Sequence, residues 1–361
     1  SKADCCLKES VRQAGGHRRG DRSRMALTAA YGGAKWSERT AGMRDDLPLW
    51  WGDWGVSSEC GTLRAVLLHR PGPELEAIED FDAAQMRSDL DPERARAQHD
   101  ALVAAYQAHG VAVHFVEGGR LDKPNLVFVR DLMLMTPEGA IVTRPASTVR
   151  AGEERYVAEA LARLGVPILM TVHGHGTFEG ADCLWVDGDL CFLAEGLRTN
   201  AEGADQVERM LREIGVAEVV RVGLPYGAMH LDGVLALVDR DLAVIWPRRT
   251  PYKIVQTLRR RGFRFIEVED DIEAQECLPM NFVALAPGVI LMPAGGERLR
   301  RRYEEAGAIC YTVDISELIK AGGGIHCMTG FLKRDPLSGG QSKRDGASDV
   351  AGAHDQRFCD H

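Results

Sequence analysis

Between residues 126 and 332 the chain repeats one pattern of apolar and polar positions. Four stretches hold two apolar runs around a short polar turn, the signature of a hairpin. They are residues 126–143, turning at Pro137-Glu138-Gly139, and 183–193, turning at Asp187-Gly188-Asp189. The third is 234–246, turning at Asp239-Arg240-Asp241, and the fourth is 282–292, turning at Pro287-Gly288. Behind each hairpin comes a stretch with helical spacing, at 153–164, 206–214, 252–261 and 296–306. Each of these leads into one more apolar run, at 166–170, 219–222, 263–268 and 308–313. With Val127, Leu184, Val234 and Val283 taken as equivalent points, the steps are 57, 50 and 49 residues. One ββαβ unit per period of about 50 residues predicts an α/β fold built as a closed, propeller-like array.

A fifth unit begins at Cys327 but has only Phe331-Leu332 behind it. The run at 63–69 can supply the missing strand and close the ring, which would remove exposed sheet edges. Residues 92–109 carry helix spacing and 111–116 alternate like a strand. Trp50, Trp51 and Trp54 read as core anchors at the entry to packed structure. Residues 1–48 read as a disordered or appended leader, with ten Lys/Arg against four Asp/Glu from Ser1 to Arg44. The Gly/Ser/Asp/Lys-rich stretch 333–361 reads as a disordered tail. One catalytic domain, 49–332, lies between them.

Composition narrows the function. The 361 residues are 45% hydrophobic and 27% charged, enough apolar material for a large core. A net charge of −9 speaks against a nucleic-acid surface. No apolar run approaches the roughly 20 residues of a membrane span. Nine scattered cysteines without a C-x-x-C pair fit a reducing compartment, so the expected location is cytoplasmic. No cofactor is called for. His173-Gly174-His175 followed by Asp182 could bind zinc, but no third ligand stands at standard spacing, and no metal is expected.

The period also says where chemistry gathers. Glu179 and Asp182, His230 and Asp232, Asn281, and Cys327 stand just before or at the start of successive units, and Asp131 lies inside the first. Equivalent positions of a ring meet at one end of its axis. Asp131, Glu179, Asp182 and Asp232 would repel one another unless a cation sits between them. A planar guanidinium matches carboxylates two at a time. Held planar by them, its carbon can lie over the sulfur of Cys327, which Gly322-Gly323-Gly324 presents on nearly bare backbone. A thiol ionises only beside positive charge, supplied by a cationic His230 or by the substrate. His230 would protonate the departing nitrogen and then activate water, with Glu179 orienting its ring.

The blocks Pro124-Asn125-Leu126-Val127-Phe128-Val129-Arg130-Asp131, Phe178-Glu179-Gly180-Ala181-Asp182, His230-Leu231-Asp232 and Gly322-Gly323-Gly324-Ile325-His326-Cys327-Met328-Thr329 resemble signatures of the guanidino-group-modifying (pentein) superfamily. Ser57-Ser58-Glu59-Cys60-Gly61-Thr62 looks deiminase-like as well. The resemblance implies a five-bladed α/β-propeller, with Cys327 as nucleophile, His230 as acid/base and Glu179 as its partner. It implies Asp131 and Asp232 as the clasp on the guanidinium and Asp182 as a further substrate-side carboxylate. Arg150 and Arg198 match positions that grip a substrate α-carboxylate, and Asn281 a position near the substrate's amino-acid end. The implied partner is a small arginine-like guanidino compound; homo-oligomer formation stays open. Amidinotransferases typically show Asp at the position of Glu179 and Trp at that of Met328, so the chain leans toward hydrolysis. Dimethylarginine dimethylaminohydrolases generally lack the Asp at position 232, which disfavours them. Arginine deiminases usually have an Arg just before the glycines, where this chain has Lys320-Ala321, and a helical insertion before the Asp131 motif. The expected reaction is deimination of arginine, or a close derivative, through a covalent cysteine adduct. Amidino transfer to an amine is the alternative, and release of ornithine by a dihydrolase the third reading.

Overall fold

The apolar runs become short strands grouped in five three-stranded sheets, in a computed structural model that describes residues 27–269 and 272–337. Four sheets follow the chain. They are β3 (Met133–Thr136), β4 (Gly139–Val142) and β5 (Ile168–Thr171); β6 (Cys183–Trp185), β7 (Leu190–Glu195) and β8 (Glu218–Gly223); β9 (Leu235–Asp239), β10 (Leu242–Ile245) and β11 (Arg264–Glu267); β12 (Val283–Ala286), β13 (Val289–Pro293) and β14 (Ile309–Val313). In each, the first two strands form an antiparallel hairpin, and a helix then carries the chain to a third strand parallel to the middle one. The helices, Glu154–Arg163, Ala201–Glu213, Tyr252–Arg260 and Glu297–Glu305, fall where helical spacing predicts them.

The fifth sheet joins the two ends of the repeat region. β15 (Gly330–Arg334) runs antiparallel to β1 (Leu63–Leu68), which pairs in parallel with β2 (Ala112–Phe115) after the helix Pro92–Ala108. Leu63 faces Arg334 and Leu67 faces Gly330. The order ββαβ is thus kept by strands more than 260 residues apart, as the single run at 63–69 predicts.

Burial explains which runs were legible. Strands β3 and β4 are buried on both faces and read as continuous apolar runs, whereas β5 is half exposed. Each crossover helix buries one stripe; Tyr156, Val157, Ala160 and Leu161 do so in the first.

Several expectations change. Residues 126–132 form two 3-10 turns, Pro124–Val127 and Val129–Leu132, rather than a strand. The carbonyls of Asn125 and Phe128 are taken by the Arg150 guanidinium, so they are not available to a sheet ladder. Trp50 and Trp51 are exposed at 75% and 45%, because the turn Leu47–Trp51 buries only Leu47. Packed structure also reaches Arg334, two residues past the expected limit, where its Nη1 donates to the carbonyls of Gly61 and Ala284 at 2.7 Å each. Residues 27–42 belong to a separate unit with one 3-10 turn, Ala29–Tyr31. The parts of the leader and tail at 1–26 and 338–361 lie outside the described residues. No helix among the described residues is long and apolar enough to cross a membrane.

Phe331 is the closing strand's main packing element. It is 1% exposed, with the guanidinium carbons of Arg130 and Arg334 5.3 and 4.3 Å from its ring centre. Phe331→Ala should cost about 3–5 kcal/mol by urea unfolding; a loss under about 1 kcal/mol would contradict ring closure as a major source of stability.

Candidate active site

One local device recurs at the head of the units. A single helical turn precedes the first strand and carries a polar side chain into the middle of the fold. Val129–Leu132 carries Asp131, Gly180–Asp182 carries Asp182 and follows Glu179, and Leu231–Gly233 carries Asp232 and follows His230. Ile325–Met328 carries Cys327. These turns bring together residues up to 196 positions apart in a pocket lined by Gln85, Asn125, Asp131, Arg150, Arg198, His230 and Cys327.

The glycines before Cys327 are there for space. Gly322 sits at φ 105°, a conformation other residues rarely adopt. A Cβ on Gly323 would come 2.5 Å from the Phe128 ring, and one on Gly324 2.7 Å from Asn281 Oδ1. Asn281 fills the place so vacated. Its Oδ1 accepts the Cys327 N–H at 3.1 Å, and its Nδ2 lies 3.0 Å from Sγ. Asn281 therefore lies against the sulfur.

The carboxylates are each matched by a protein cation or a hydrogen-bond donor. Glu179 is fully buried and lies 2.6 Å from His230 Nε2, while Arg198 Nη1 donates to both its oxygens at 3.3 and 3.2 Å. Burial opposes ionisation of Glu179, but His230, Arg150 and Arg198 overcome it and hold the carboxyl down at about 2. Burial likewise works against a charged His230; Asp131 and Glu179 outweigh it and raise the imidazole to about 10. His230 is therefore an imidazolium at neutral pH, an acid before substrate arrives.

Asp131 has one oxygen committed and one not. Oδ2 accepts from Arg150 Nη1 at 2.5 Å, whereas Oδ1 is buried with no hydrogen-bond partner. Arg150 spends its remaining donors on Glu153 at 2.8 Å and on the carbonyls of Asn125 and Phe128. It is 3% exposed and braces Asp131, so little of it is left for a substrate carboxylate. Arg198 has more to offer, since only Nη1 is engaged by Glu179. Asp182 stands behind the pocket. It binds the Thr199 hydroxyl at 2.6 Å and the Leu231 N–H at 3.1 Å, and burial pushes it up to about 7. Its role is to hold the His230–Asp232 turn.

A chain of buried groups missed by the sequence reading supports Asp232. Arg130 Nη2 donates to Glu59 Oε1 at 3.1 Å, Glu59 Oε2 lies 3.1 Å from His326 Nε2, and His326 Nδ1 lies 2.9 Å from Asp232 Oδ2. Burial would lower His326, yet the two carboxylates raise it. Its neighbour Cys327 has Sγ 3.5 Å from Asp232 Oδ2. Burial, then Asp232 and Asp131, push that thiol well above its ordinary value. The signal for Glu59 and His326 was present inside the blocks singled out, but as residues next to a motif rather than members of a repeat.

Cys327 also borders a wider cleft of about 270 Å³, lined in part by Asp232, Met229, Trp246 and Asn281. Asp131, Glu179 and His230 form the one group among the described residues whose ligand atoms could converge on a metal. Arg150 and Arg198 already supply positive charge there. His173 and His175 are exposed at a turn.

A family model described as eukaryotic N,N dimethylarginine dimethylhydrolase matches residues 74–333. The chain belongs to that family. The dimethylarginine dimethylaminohydrolase of Pseudomonas aeruginosa is 31% identical over 66% of this chain and 89% of its own length. An arginine deiminase of Rhodococcus erythropolis is 23% identical over 78% of this chain and 98% of its own. A structure of the P. aeruginosa dimethylarginine enzyme complexed with citrulline has a TM-score of 0.63 at 26% identity, covering 75% of this chain and all of that one. An amidinotransferase from Microseira wollei, 14% identical with a TM-score of 0.65, shares the fold over 78% of this chain and 97% of its own. The chain is therefore a guanidino-modifying pentein enzyme, a hydrolase of C–N bonds. The expectation that Asp232 sets this chain apart from the dimethylarginine enzymes is therefore overturned, since the family match spans Asp232.

The His230–Glu179 pair ties stability to pH. Glu179 is lowered from 4.5 to about 2 and His230 raised from 6.5 to about 10. The pair's contribution is full between the two unfolded values, fades as pH falls through about 2, and fades as pH rises through about 10. In thermal melts, the deficit of His230→Gln against wild type should be largest near pH 5–6 and shrink on passing about pH 10; a deficit flat from pH 6 to 11 would contradict the pairing.

Proposed function

We propose that this enzyme hydrolyses the guanidino group of L-arginine, or of an arginine derivative that keeps N–H on the reacting nitrogen, to the ureido product and an amine. With arginine the amine is ammonia. The observation that carries this is Asp131 Oδ1, a buried carboxylate oxygen with no hydrogen-bond donor, 3.9 Å from His230 Nε2, in a pocket that Cys327 borders. A buried acceptor of that kind is costly unless a donor arrives. A guanidinium N–H meets it, while a second nitrogen reaches Asp232 across the sulfur.

Cys327 then has the cation it lacks in the free enzyme. Its thiol is held high by burial and by Asp232 and Asp131. A bound guanidinium between those carboxylates offsets them, and the thiol releases its proton to solvent to become thiolate. Sγ adds to the guanidino carbon, His230 gives its proton to the departing nitrogen, and a thiouronium remains on Cys327. His230, now neutral, takes a proton from water, which attacks the same carbon. The C–S bond breaks and the ureido product leaves. Arg198 faces the α-carboxylate. Asp232 bears on the choice among arginines, because a dimethylated nitrogen has no N–H to give it, whereas arginine and its monomethyl form do. The five sheets, read as the blades of one α/β-propeller, account for how these turns share a centre. The free thiols of Cys60, Cys183 and Cys191 suit a reducing, cytoplasmic setting.

Incubation with arginine, with and without added primary amines, followed by product identification by mass, tests the reading. Ureido product independent of amine is expected; product that requires the amine would make the enzyme an amidinotransferase. Cys327→Ser should lose turnover by at least about 10³-fold while its circular dichroism and melting stay close to wild type. Near-normal turnover by that variant would rule out a covalent mechanism.

A further inference from the structure

One polar group in the pocket has no part in the chemistry so far described. Gln85 lines the pocket together with Asp131, Arg198 and Cys327. Its amide oxygen is buried and has no hydrogen-bond partner. The amide nitrogen is fixed, donating to the hydroxyl of Ser147, so the oxygen is aimed inward. The guanidinium groups of Arg150 and Arg198 line the same pocket and favour that orientation, because an inward NH2 would add donors where donors already abound. The backbone of Gln85 stands at φ 63°, a left-handed conformation that a non-glycine residue adopts at a cost. Surrounding contacts enforce it. The Gln85 N–H donates to Asp82 O at 2.8 Å, and Asn125 Nδ2 donates to Ala84 O at 2.7 Å. The N–H groups of Arg87 and Ser88 both reach Lys320 O, at 2.8 and 3.2 Å, next to the glycines that present Cys327. The segment is thus stitched to both the Asp131 side and the Cys327 side of the site.

We infer that Gln85 reads the substrate's α-ammonium group, its amide oxygen accepting an N–H there while Arg198 takes the α-carboxylate. The assignment rests on the guanidino reading of the site and adds to it the kind of tail the substrate carries, a zwitterionic amino-acid end. The pocket's free volume is about 20 Å³, room for a single water. The amino-acid end therefore enters by displacing the 82–88 segment, and the stitches to Asn125 and Lys320 bring Gln85 back onto it. A neutral oxygen suits this task better than a carboxylate, which would compete with the substrate's own carboxylate for Arg198.

The test compares two substrates in three proteins. Arginine and 5-guanidinopentanoate, which is arginine without the α-amino group, are assayed for ureido product with wild type, Gln85→Leu and Gln85→Glu. In wild type kcat/KM should favour arginine. In Gln85→Leu the ratio of the two kcat/KM values should fall about ten- to a hundredfold, the range of one hydrogen bond to a charged group. Gln85→Glu keeps an acceptor, so its ratio should stay within about threefold of wild type, and this variant keeps the test alive if the leucine protein does not fold. A ratio near one in wild type, or an equal loss on both substrates in Gln85→Leu, would overturn the assignment and leave Gln85 a closure element. Failure of wild type to process either compound would overturn the proposed arginine substrate, a distinct result.

Discussion

Compensation of buried negative charge organises this molecule. Asp131, Glu179 and Asp232 are withdrawn from water at one end of the fold, where uncompensated carboxylates would neutralise themselves by taking up protons. Each instead has a protein cation against it: Arg150 on Asp131, His230 and Arg198 on Glu179, His326 on Asp232. One atom, Asp131 Oδ1, accepts no hydrogen bond and has only the more distant His230 Nε2, 3.9 Å away, as its cation. The contrast with Asp182 is instructive. Carrying only a hydroxyl and an amide as partners, it rises to about 7 and serves the scaffold rather than the charge pattern.

The same balance sets the reactivity of the sulfur. Free of substrate, Cys327 faces Asp232 and Asp131, and these with burial keep its thiol protonated. His230 is the reverse case, an imidazolium stabilised before any chemistry starts. Under the proposed mechanism, acid and nucleophile are thus both in their protonated forms, and arrival of a guanidinium changes only the thiol. Such an arrangement guards a buried nucleophile against stray electrophiles, because the reactive form exists mainly in the complex.

Much of this was written in the chain. Continuous apolar strands and amphipathic helices gave the repeat its period, since each hairpin is buried and each helix buries one stripe. The single run at 63–69 announced the join with β15 because a fifth unit lacked its partner. Asp131, Glu179, His230, Asp232 and Cys327 were legible as residues recurring at equivalent points. What sequence could not show was direction of side chains. Arg150 looked like a grip for a carboxylate and proves to brace Asp131; Asn281 looked like a tail contact and lies on the sulfur. Residues 126–132 read as a strand by composition, but the demand of Arg150 for carbonyl oxygens turns them into two tight turns. Gln85, in a stretch without periodicity, left no trace at all, because its importance comes from where a loop crosses rather than from any local pattern.

The most direct test of the account is to trap the enzyme during turnover. Wild type mixed with arginine, quenched in acid within milliseconds and digested, should yield a peptide containing Cys327 that carries the substrate as a thiouronium, with ammonia already released. Adduct on any other residue, or ureido product formed in a pre-steady-state burst without adduct on Cys327, would contradict the claim that a carboxylate-held guanidinium activates this sulfur.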